Sequence, residues 1–212
     1  MMSEQIAAAK RSQPFRSETN PTSSAAGIAD LYVRRLDERF MTQLRLGDAT
    51  DLDFLKTMLF EAFFWDPETK RPSFASFCGD AEFTKLLAGW GRTGDRAVIA
   101  QQHEVRLGSA WFRLWTPESH SYGFVDARTP EMAIAVRPDS RSMGVGDQLL
   151  NGLVQQARAD GYPSLSLSVS PKNSALRLYE SAGFRKVGES GTSWTLLLSL
   201  SEQQLECTSG CH

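Results

Sequence analysis

The sequence has few cysteines, no long apolar run and almost no excess of charge of one sign, and each of these excludes a class of protein. Three cysteines in 212 residues are an odd number, which suits a reducing compartment better than a framework of disulfide bonds. A formal net charge of -2 does not fit a strongly basic nucleic-acid-binding protein. The longest apolar stretches, such as residues 194–200, are of strand length and fall far short of the roughly 20 residues that span a bilayer. We therefore expect neither a nucleic acid nor a membrane as a partner.

Both ends of the chain lack the pattern of a folded domain. Residues 1–38 are rich in Ser, Ala, Arg and Glu and show no sustained apolar period, which predicts a flexible N-terminal segment. This segment also lacks the apolar stretch of a secretory signal, so a cytoplasmic location is expected. Residues 201–212 are interpreted as a flexible tail. Its Cys207, Cys211 and His212 are bunched at the chain end with no second pair of ligands elsewhere, so no metal is expected.

Residues 41–200 alternate between strand and helix patterns, as is typical of one α/β domain. The predicted strands cover 42–47, 96–102, 105–115, 130–136, 164–169, 184–188 and 192–200. The predicted helices cover 48–64, 81–91, 146–161 and 173–183, and residues 66–80 are predicted to be a loop. This order predicts a three-layer domain with a mixed sheet, whose parallel core is the strand, helix and strand between Met132 and Val169.

Two glycines, Gly144 and Gly146, stand in the turn between the strand that ends at Val136 and the next helix. The first amides of a helix have no partners within it and carry partial positive charge, so a phosphate is a candidate ligand. A lone Gly-x-Gly is also common in ordinary turns, and the turn alone leaves both interpretations open. A P-loop would require Gly-Lys-Ser/Thr where this chain has Gly146, Asp147 and Gln148, and a dinucleotide fingerprint would need a third glycine. Both of those phosphate motifs are excluded.

Residues 131–150, EMAIAVRPDSRSMGVGDQLL, resemble the acetyl-CoA-binding motif of the GNAT superfamily of N-acetyltransferases. Arg141, Gly144 and Gly146 match its Arg/Gln-x-x-Gly-x-Gly/Ala turn. Residues 168–188 resemble the second motif of the family, Asn-Pro-Ala-x-x-Leu-Tyr-Glu followed by Gly-Phe, with Ser174 where proline is common. The resemblance implies a mixed, mostly antiparallel central sheet with a parallel strand pair at the cofactor site and helices on both faces. It also implies transfer of an acetyl group from acetyl-CoA to a primary amine by direct attack in a ternary complex.

The resemblance places the diphosphate of acetyl-CoA at the backbone amides of the turn and the pantetheine arm along the preceding strand. Arg141 would add a charge-assisted contact, and a side chain at Gly144 or Gly146 would hold the phosphate oxygens away or strain the backbone. Asn173 would contact the cofactor or simply cap the helix that follows it. The implied cofactor-binding residues are Ile134, Ala135, Val136, Arg141, Ser142, Met143, Gly144, Val145, Gly146, Asp147, Asn173, Leu176 and Tyr179.

The resemblance also implies two catalytic residues, Tyr179 and Glu131. Tyr179 matches the tyrosine that lies near the CoA sulfur in the family and acts as general acid, and packing against the cofactor is the alternative. Glu131 resembles the position of a strand carboxylate that takes the amine proton, often through water, and a solvated strand-end charge is the alternative. His120, Tyr122 and Asp126 in the preceding loop are further candidates for the base.

The region that builds the acceptor site in this superfamily is rich in aromatic residues in this chain. These rings could line an apolar pocket or form core beneath the sheet. They are Phe60, Phe63, Phe64, Trp65, Phe74 and Phe77, together with Trp111 and Trp115, which alternation places on one face of their strand. The acceptor is expected to be an amine of a small molecule or of a protein, and the oligomeric state is left open, a homodimer included. Two other functions are weighed: a CoA-binding sensor of the same fold without turnover, and an interaction module that acts through the N-terminal segment.

Overall fold

A computed structural model describes residues 41–201 of the chain. The predictions for residues 1–38, and for the tail beyond Ser201, lie outside the described residues. The strands are β1 (Gln43–Leu46), β2 (Arg96–Gln102), β3 (Val105–Arg113), β4 (Glu131–Val136), β5 (Ser164–Val169), β6 (Arg185–Ser190) and β7 (Ser193–Ser199). The α-helices are α1 (Leu52–Phe63), α2 (Phe74–Gly79), α3 (Ala81–Thr84), α4 (Val145–Ala159) and α5 (Leu176–Ser181).

These strands form one mixed sheet in the spatial order β1-β2-β3-β4-β5-β7-β6. All neighbouring pairs are antiparallel except β4 and β5, which are parallel. The parallel pair is in register at a single position, Glu131 opposite Ser166, and the two strands separate beyond it. The predicted mixed sheet with one parallel pair is confirmed.

Helices cover both faces of the sheet and define two cores. On one face, Leu149, Leu150 and Leu153 of α4 are almost completely buried against the sheet. On the other face, Leu55 and Met58 of α1 are fully buried. Because side chains alternate along a strand, β3 contributes to both cores. Phe112 packs with α4, whereas Trp111 and Trp115 lie together on the α1 face, as predicted.

The start of α1 is anchored to the sheet by a buried carboxylate. Asp51 accepts hydrogen bonds from both terminal nitrogens of Arg45 in β1, at 2.7 and 2.8 Å, and pairs with Arg106 of β3 at 3.2 Å. Its Oδ2 also accepts from the amide of Asp48, in a capping box at the short 3₁₀ turn before α1. The Arg45 hydrogen bonds hold the pKa of Asp51 at about 2. This network fixes the entry of α1 over the sheet.

The segment before β2 differs from the sequence prediction in two respects. The predicted loop at 66–80 contains α2, which begins after Ser73 caps it by accepting from the amide of Ser76 at 3.1 Å. The helix predicted over 81–91 ends at Thr84, after which the chain forms a series of turns. In those turns, the carbonyls of Leu86 and Ala88 accept hydrogen bonds from the side chain of Arg113.

Within residues 41–201, no helix has both the length and the apolar character needed to cross a bilayer.

Candidate active site

The turn between β4 and α4 has an unusual backbone that turns its amides outward. Ser142 has φ 62° and Gly144 has φ 74°, so the turn has two residues with a left-handed backbone, separated by Met143. At Gly144 a Cβ would meet nothing within 4 Å, and the left-handed conformation alone explains the glycine. At Gly146 a Cβ would lie 3.5 Å from Leu178 Cδ2, which is an ordinary contact. The fold therefore tolerates a small side chain at Gly146, and only a closely approaching ligand would require glycine there.

The amides of this turn are free to bind a ligand. Among the described residues, the amides of positions 141 to 147 have no hydrogen-bond acceptor. The first amide of this region with an acceptor is that of Gln148, which donates to the carbonyl of Gly144 at 3.2 Å. These unpaired donors lie at the positive end of the 15-residue helix α4, where an anion is stabilised. The turn thus has the donors that a diphosphate requires.

A cavity of about 450 Å³ opens beside the turn. Of the predicted cofactor-binding residues, the ones that line it are Ile134, Ala135, Val136, Arg141, Ser142, Gly144, Gly146, Asp147, Asn173 and Tyr179. The other three do not line it: Met143 projects into solvent, Val145 is buried in the core, and Leu176 packs against that core. The rest of the lining was not predicted to bind the cofactor, although Trp65 was predicted as a possible wall of the acceptor pocket; it consists of Glu61, Ala62, Trp65, Ser140, Ser174, Ala175 and Leu178.

The edge of β4 that faces β5 is open along this cavity. The other edge of β4 pairs with β3 over its full length, from Glu131 to Val136. Towards β5 the pairing stops at Glu131. Backbone groups on the open edge near Ile134 and Val136 can therefore bind an amide-bearing chain laid against them, as a further strand would.

Arg141 is held by two acceptors beside the turn. Its guanidinium donates to the carbonyl of Val136 at 3.3 Å and to Glu61 of α1 at 3.2 Å. Glu61 also pairs with Arg71. Nearly half of the Arg141 side chain is exposed, so it can reach an anion on the adjacent amides while Glu61 keeps Arg71 as a partner. The contact between Glu61 and Arg141 could not be predicted from the sequence, because it requires α1 to lie over the turn.

A second cavity, of about 410 Å³, adjoins the first and extends across the α1 face of the sheet. The two cavities share Ala62, Trp65, Ile134, Asn173 and Tyr179 in their walls. A ligand that lies on the turn and along β4 therefore reaches the second cavity past Tyr179. Glu131 lines that second cavity.

Tyr179 stands at the junction with a free hydroxyl group. Its ring is 7% exposed and packs edge-on against Phe184, with 5.8 Å between ring centroids. Burial raises the pKa of the Tyr179 hydroxyl, so the group is protonated at neutral pH, and it has no hydrogen-bond partner among the described residues. The turn before α5 is closed by Asn173, whose Oδ1 accepts from the amide of Ala175 at 2.9 Å. This bond closes the turn before α5, whose N-cap is Ala175 and has no side-chain capping bond, and Asn173 also lines both cavities.

Glu131 is poised between its two protonation states. One oxygen, Oε1, accepts from the amide of Gly123 at 2.8 Å. The other, Oε2, is buried and has no hydrogen-bond partner. Burial raises the pKa of Glu131 to about 7, against the opposing effects of the Gly123 amide, the Ser121 hydroxyl and His120. A carboxyl group with that pKa in a cavity can accept a proton near neutral pH, and the description of Glu131 as a solvated strand-end charge does not fit its burial.

The hydrogen bond to Glu131 depends on the lack of a side chain at Gly123. A Cβ there would lie 2.5 Å from the carbonyl carbon of Leu167 and 2.7 Å from the amide nitrogen of Ser168, both in the backbone of β5. Contacts that short do not occur, so only glycine fits. Sequence reasoning did not single out Gly123, because the constraint comes from a strand more than forty residues away.

The other base candidates are differently placed. Tyr122 lines the second cavity. His120 stacks on Phe124 with 4.8 Å between ring centroids, and its Nδ1 lies 2.8 Å from the carbonyl oxygen of Ser121. Asp126 is exposed and accepts from the amide of Arg128 at 2.8 Å. Neither His120 nor Asp126 lines the cavity.

The aromatic residues divide between a packed cluster and a cavity wall. Rings that pack against one another beside α1 are Phe60, Phe64, Phe74, Phe77 and Phe83. Rings that line the second cavity are Phe63, Trp65, Trp111, Trp115, Tyr122 and Tyr179. Phe63 belongs to both groups, because its ring also packs on Phe83 with 4.8 Å between centroids, and Trp111 and Trp115 are also buried in the core. Each of the two alternatives for these residues therefore describes part of the set.

A buried arginine, Arg113, forms part of the same wall and was not expected from the sequence. It pairs with Asp95 through Nε at 3.2 Å and Nη2 at 2.8 Å, and both side chains are 2% exposed. Its position was signalled by alternation, because Trp111, Arg113 and Trp115 share one strand face. Within residues 41–201, no group of three or more His, Cys, Asp or Glu residues is arranged to hold a metal ion.

Known proteins share this architecture. The chain resembles PaiA N-acetyltransferase from Thermoplasma acidophilum in complex with coenzyme A, at 16% identity and a TM-score of 0.59, over 76% of this chain and 99% of that one. It also resembles phosphinothricin acetyltransferase from Sinorhizobium meliloti in complex with acetyl-CoA, at 20% identity and a TM-score of 0.56, over 81% and 95%. The ribosomal-protein-S18-alanine N-acetyltransferase from Escherichia coli is similar at 20% identity and a TM-score of 0.55, over 78% and 98%.

At these identities the similar structures establish the fold and leave the acceptor of this chain undefined. No curated protein sequence matches the chain significantly. The model of the acetyltransferase (GNAT) family matches residues 56–184, which are more than half of the chain. The matched range includes the two catalytic candidates, Glu131 and Tyr179. The chain therefore belongs to the acetyltransferase (GNAT) family.

Proposed function

We propose that this protein transfers an acetyl group from acetyl-CoA to a primary amine, by direct attack of the amine within a ternary complex. One observation carries the proposal: the unpaired amides at positions 141 to 147 lie at one end of a continuous cleft, and Tyr179 and Glu131 lie further along it. Two of the similar structures contain coenzyme A or acetyl-CoA by name, which supports the same cofactor here.

The residues of the cleft fit the parts of acetyl-CoA. The amides of the turn would bind the diphosphate, with Arg141 adding a charge-assisted contact. The open edge of β4 would bind the pantetheine arm. Bound in this way, acetyl-CoA supplies an activated acyl group at the junction of the two cavities, close to Tyr179.

In the reaction, Glu131 would accept a proton from the amine and Tyr179 would donate a proton to the sulfur. A primary amine is mostly protonated near neutral pH, and it must lose a proton before its nitrogen can bond to the acetyl carbon. Glu131, with a pKa of about 7, accepts that proton directly or through a water molecule. As the carbon–sulfur bond breaks, Tyr179 donates a proton to the sulfur. The nitrogen, now bonded to the acetyl carbon, passes its remaining extra proton through a water molecule to the Tyr179 phenolate, so the products are an amide and a free thiol, with the first amine proton on Glu131. Burial disfavours an unprotonated thiolate, so the leaving sulfur needs a proton donor close to it.

The test is to measure acetyl-CoA binding and thiol release on the full chain. We expect acetyl-CoA to bind, and thiol to appear only when an amine is added. Binding without turnover across a broad amine panel would contradict the enzymatic proposal and favour the CoA-binding sensor. Absence of binding would contradict both. The cytoplasmic location and the homodimer stay predictions from the sequence.

A further inference from the structure

We propose that the acceptor is an arylalkylamine: a primary amine on an aromatic, otherwise uncharged skeleton that carries no carboxylate or phosphate. This inference rests on the proposed function and specifies the acceptor of the same site. It follows from the wall of the second cavity, which combines aromatic surface with one unpaired carboxylate oxygen and one fully compensated cation.

The aromatic surface lies on several sides of the cavity. Phe63 and Trp65 come from the end of α1, Trp111 and Trp115 from β3 and the residues after it, and Tyr122 from the loop before β4. The rings favour a planar apolar group, because it gains contact area without needing hydrogen bonds. The same wall includes five serines, Ser121, Ser168, Ser170, Ser190 and Ser193, which can bind uncharged polar substituents on that group. The volume of about 410 Å³ lies within the roughly 300–1,000 Å³ of small-molecule sites.

The negative group of the cavity is Glu131. Its Oε2 is buried and has no partner, whereas Oε1 is already bonded to the Gly123 amide. A buried acceptor without a donor is rare in a folded protein and indicates that a water molecule or a ligand group occupies the adjoining space. An alkylammonium group supplies both the donor and the positive charge.

The positive group of the cavity offers little to an anionic substrate. Among the described residues that line the cavity, Arg113 is the one cation. It donates twice to Asp95 and once each to the carbonyls of Leu86 and Ala88. The faces of Trp90 and Trp115 lie 5.6 and 5.4 Å from its guanidinium carbon. A substrate carboxylate would therefore compete with Asp95 and would otherwise be buried without a counter-ion.

Four ligands that differ in one feature at a time test the inference. 2-Phenylethylamine has the ring and the amine, and phenylalanine adds a carboxylate. Phenylalaninamide has nearly the shape of phenylalanine without its negative charge, and propylamine lacks the ring. Binding to the full chain is measured calorimetrically, with and without coenzyme A, which carries no acetyl group and cannot react. The readout is thus independent of turnover, and thiol release with acetyl-CoA is measured separately.

We expect 2-phenylethylamine and phenylalaninamide to bind at least about 30-fold more tightly than phenylalanine, the scale of the penalty for a buried unpaired charge. We expect propylamine to bind about 10-fold or more weakly than 2-phenylethylamine, because it does not cover the rings. Phenylalanine binding as tightly as its amide, or propylamine as tightly as 2-phenylethylamine, overturns the inference. If thiol release then occurs with other amines, the proposed function stands and only the arylalkylamine assignment fails.

Substitution of Glu131 separates recognition of charge from recognition of shape. Glu131→Gln should weaken 2-phenylethylamine about 10-fold while leaving 2-phenylethanol, its uncharged analogue, within about twofold. Asp126→Asn is the matched control, because it removes an exposed carboxylate of the neighbouring loop that lies outside the cavity. If Glu131→Gln lowers the affinity for the amine and for the alcohol equally, the carboxylate does not bind the ammonium group, and the inference is overturned.

Discussion

Replacement of Gly123 by alanine should displace the hydrogen bond that tunes Glu131. The added Cβ would lie 2.5 Å from the carbonyl carbon of Leu167, about 1 Å closer than a normal carbon–carbon contact of ~3.5 Å. The loop must therefore retreat by about that distance. A retreat of this size lengthens the bond from the Gly123 amide to Glu131 Oε1, now 2.8 Å, beyond the range of a hydrogen bond.

Loss of that bond raises the pKa of Glu131, because the amide stabilises the ionised form. A hydrogen bond to a charged group contributes about 1.5–3 kcal/mol, and ~1.4 kcal/mol corresponds to one pH unit. The wild-type pKa is about 7, so the midpoint of the acid limb of kcat/KM should move to about pH 8–9. Activity at pH 7 should fall about 5- to 50-fold and recover at high pH.

The assay is thiol release from acetyl-CoA between pH 5.5 and 9.5, with one amine for all variants, so that the titration of the amine cancels. Gly188→Ala is the matched control, because its Cβ would lie 3.8 Å from the nearest atom, Thr195 Cβ. Overpacking should also lower the free energy of unfolding of Gly123→Ala by about 1–3 kcal/mol. A folded Gly123→Ala enzyme with the wild-type midpoint would refute the assignment of Gly123 as a positioning residue for Glu131.

Three further predictions address other parts of the cleft. Tyr179→Phe keeps the ring and should lower kcat about 100-fold with acetyl-CoA affinity unchanged; full activity would remove its role as acid. Gly144→Ala, which forces a side chain into a left-handed backbone, should weaken acetyl-CoA about 5- to 30-fold, whereas Gly89→Ala at φ 59° should share only the loss of stability. Glu131→Gln should become more stable relative to wild type as pH rises. The folded pKa of about 7 exceeds the ordinary 4.5, so the wild type loses up to about 3 kcal/mol between those values. The difference in Tm should grow by up to about 10 °C between pH 4.5 and 8, and a constant difference would contradict the burial of this carboxyl.

The parts of the site that could be predicted from the sequence are those built by consecutive residues. The unpaired amides of the turn around Gly144 are neighbours along the chain, so the geometry of the turn is encoded within a few positions and appears as a local motif. Asn173 and Tyr179 belong to a second local motif, in which the asparagine closes the turn before the helix that carries the tyrosine. The bounds of most strands were predictable for a related reason, since alternation records burial within each segment.

The parts that could not be predicted depend on contacts between distant segments. Gly123 is constrained by the backbone of β5, and nothing in its own loop distinguishes it from an ordinary turn glycine. Glu61 reaches Arg141 only because α1 crosses above the turn. The turns after α3 make the same kind of contact, because the carbonyls of Leu86 and Ala88 accept hydrogen bonds from Arg113 of β3. In each case the deciding partner lies more than twenty residues away along the chain.

β4 connects the two parts of the proposed site, because Glu131 lies at its start and the turn with the unpaired amides follows its end. Glu131 occupies the one position where these strands are still paired, so the proposed base stands at the point from which they separate. The turn with the free amides follows the opposite end of β4, at Val136. Five residue steps at about 3.3 Å each put roughly 17 Å of strand between these ends. The length of β4 therefore sets the distance between the proposed proton acceptor and the proposed diphosphate site. Because β4 is paired along its whole other edge to β3, that distance is held by the sheet and does not depend on a loop.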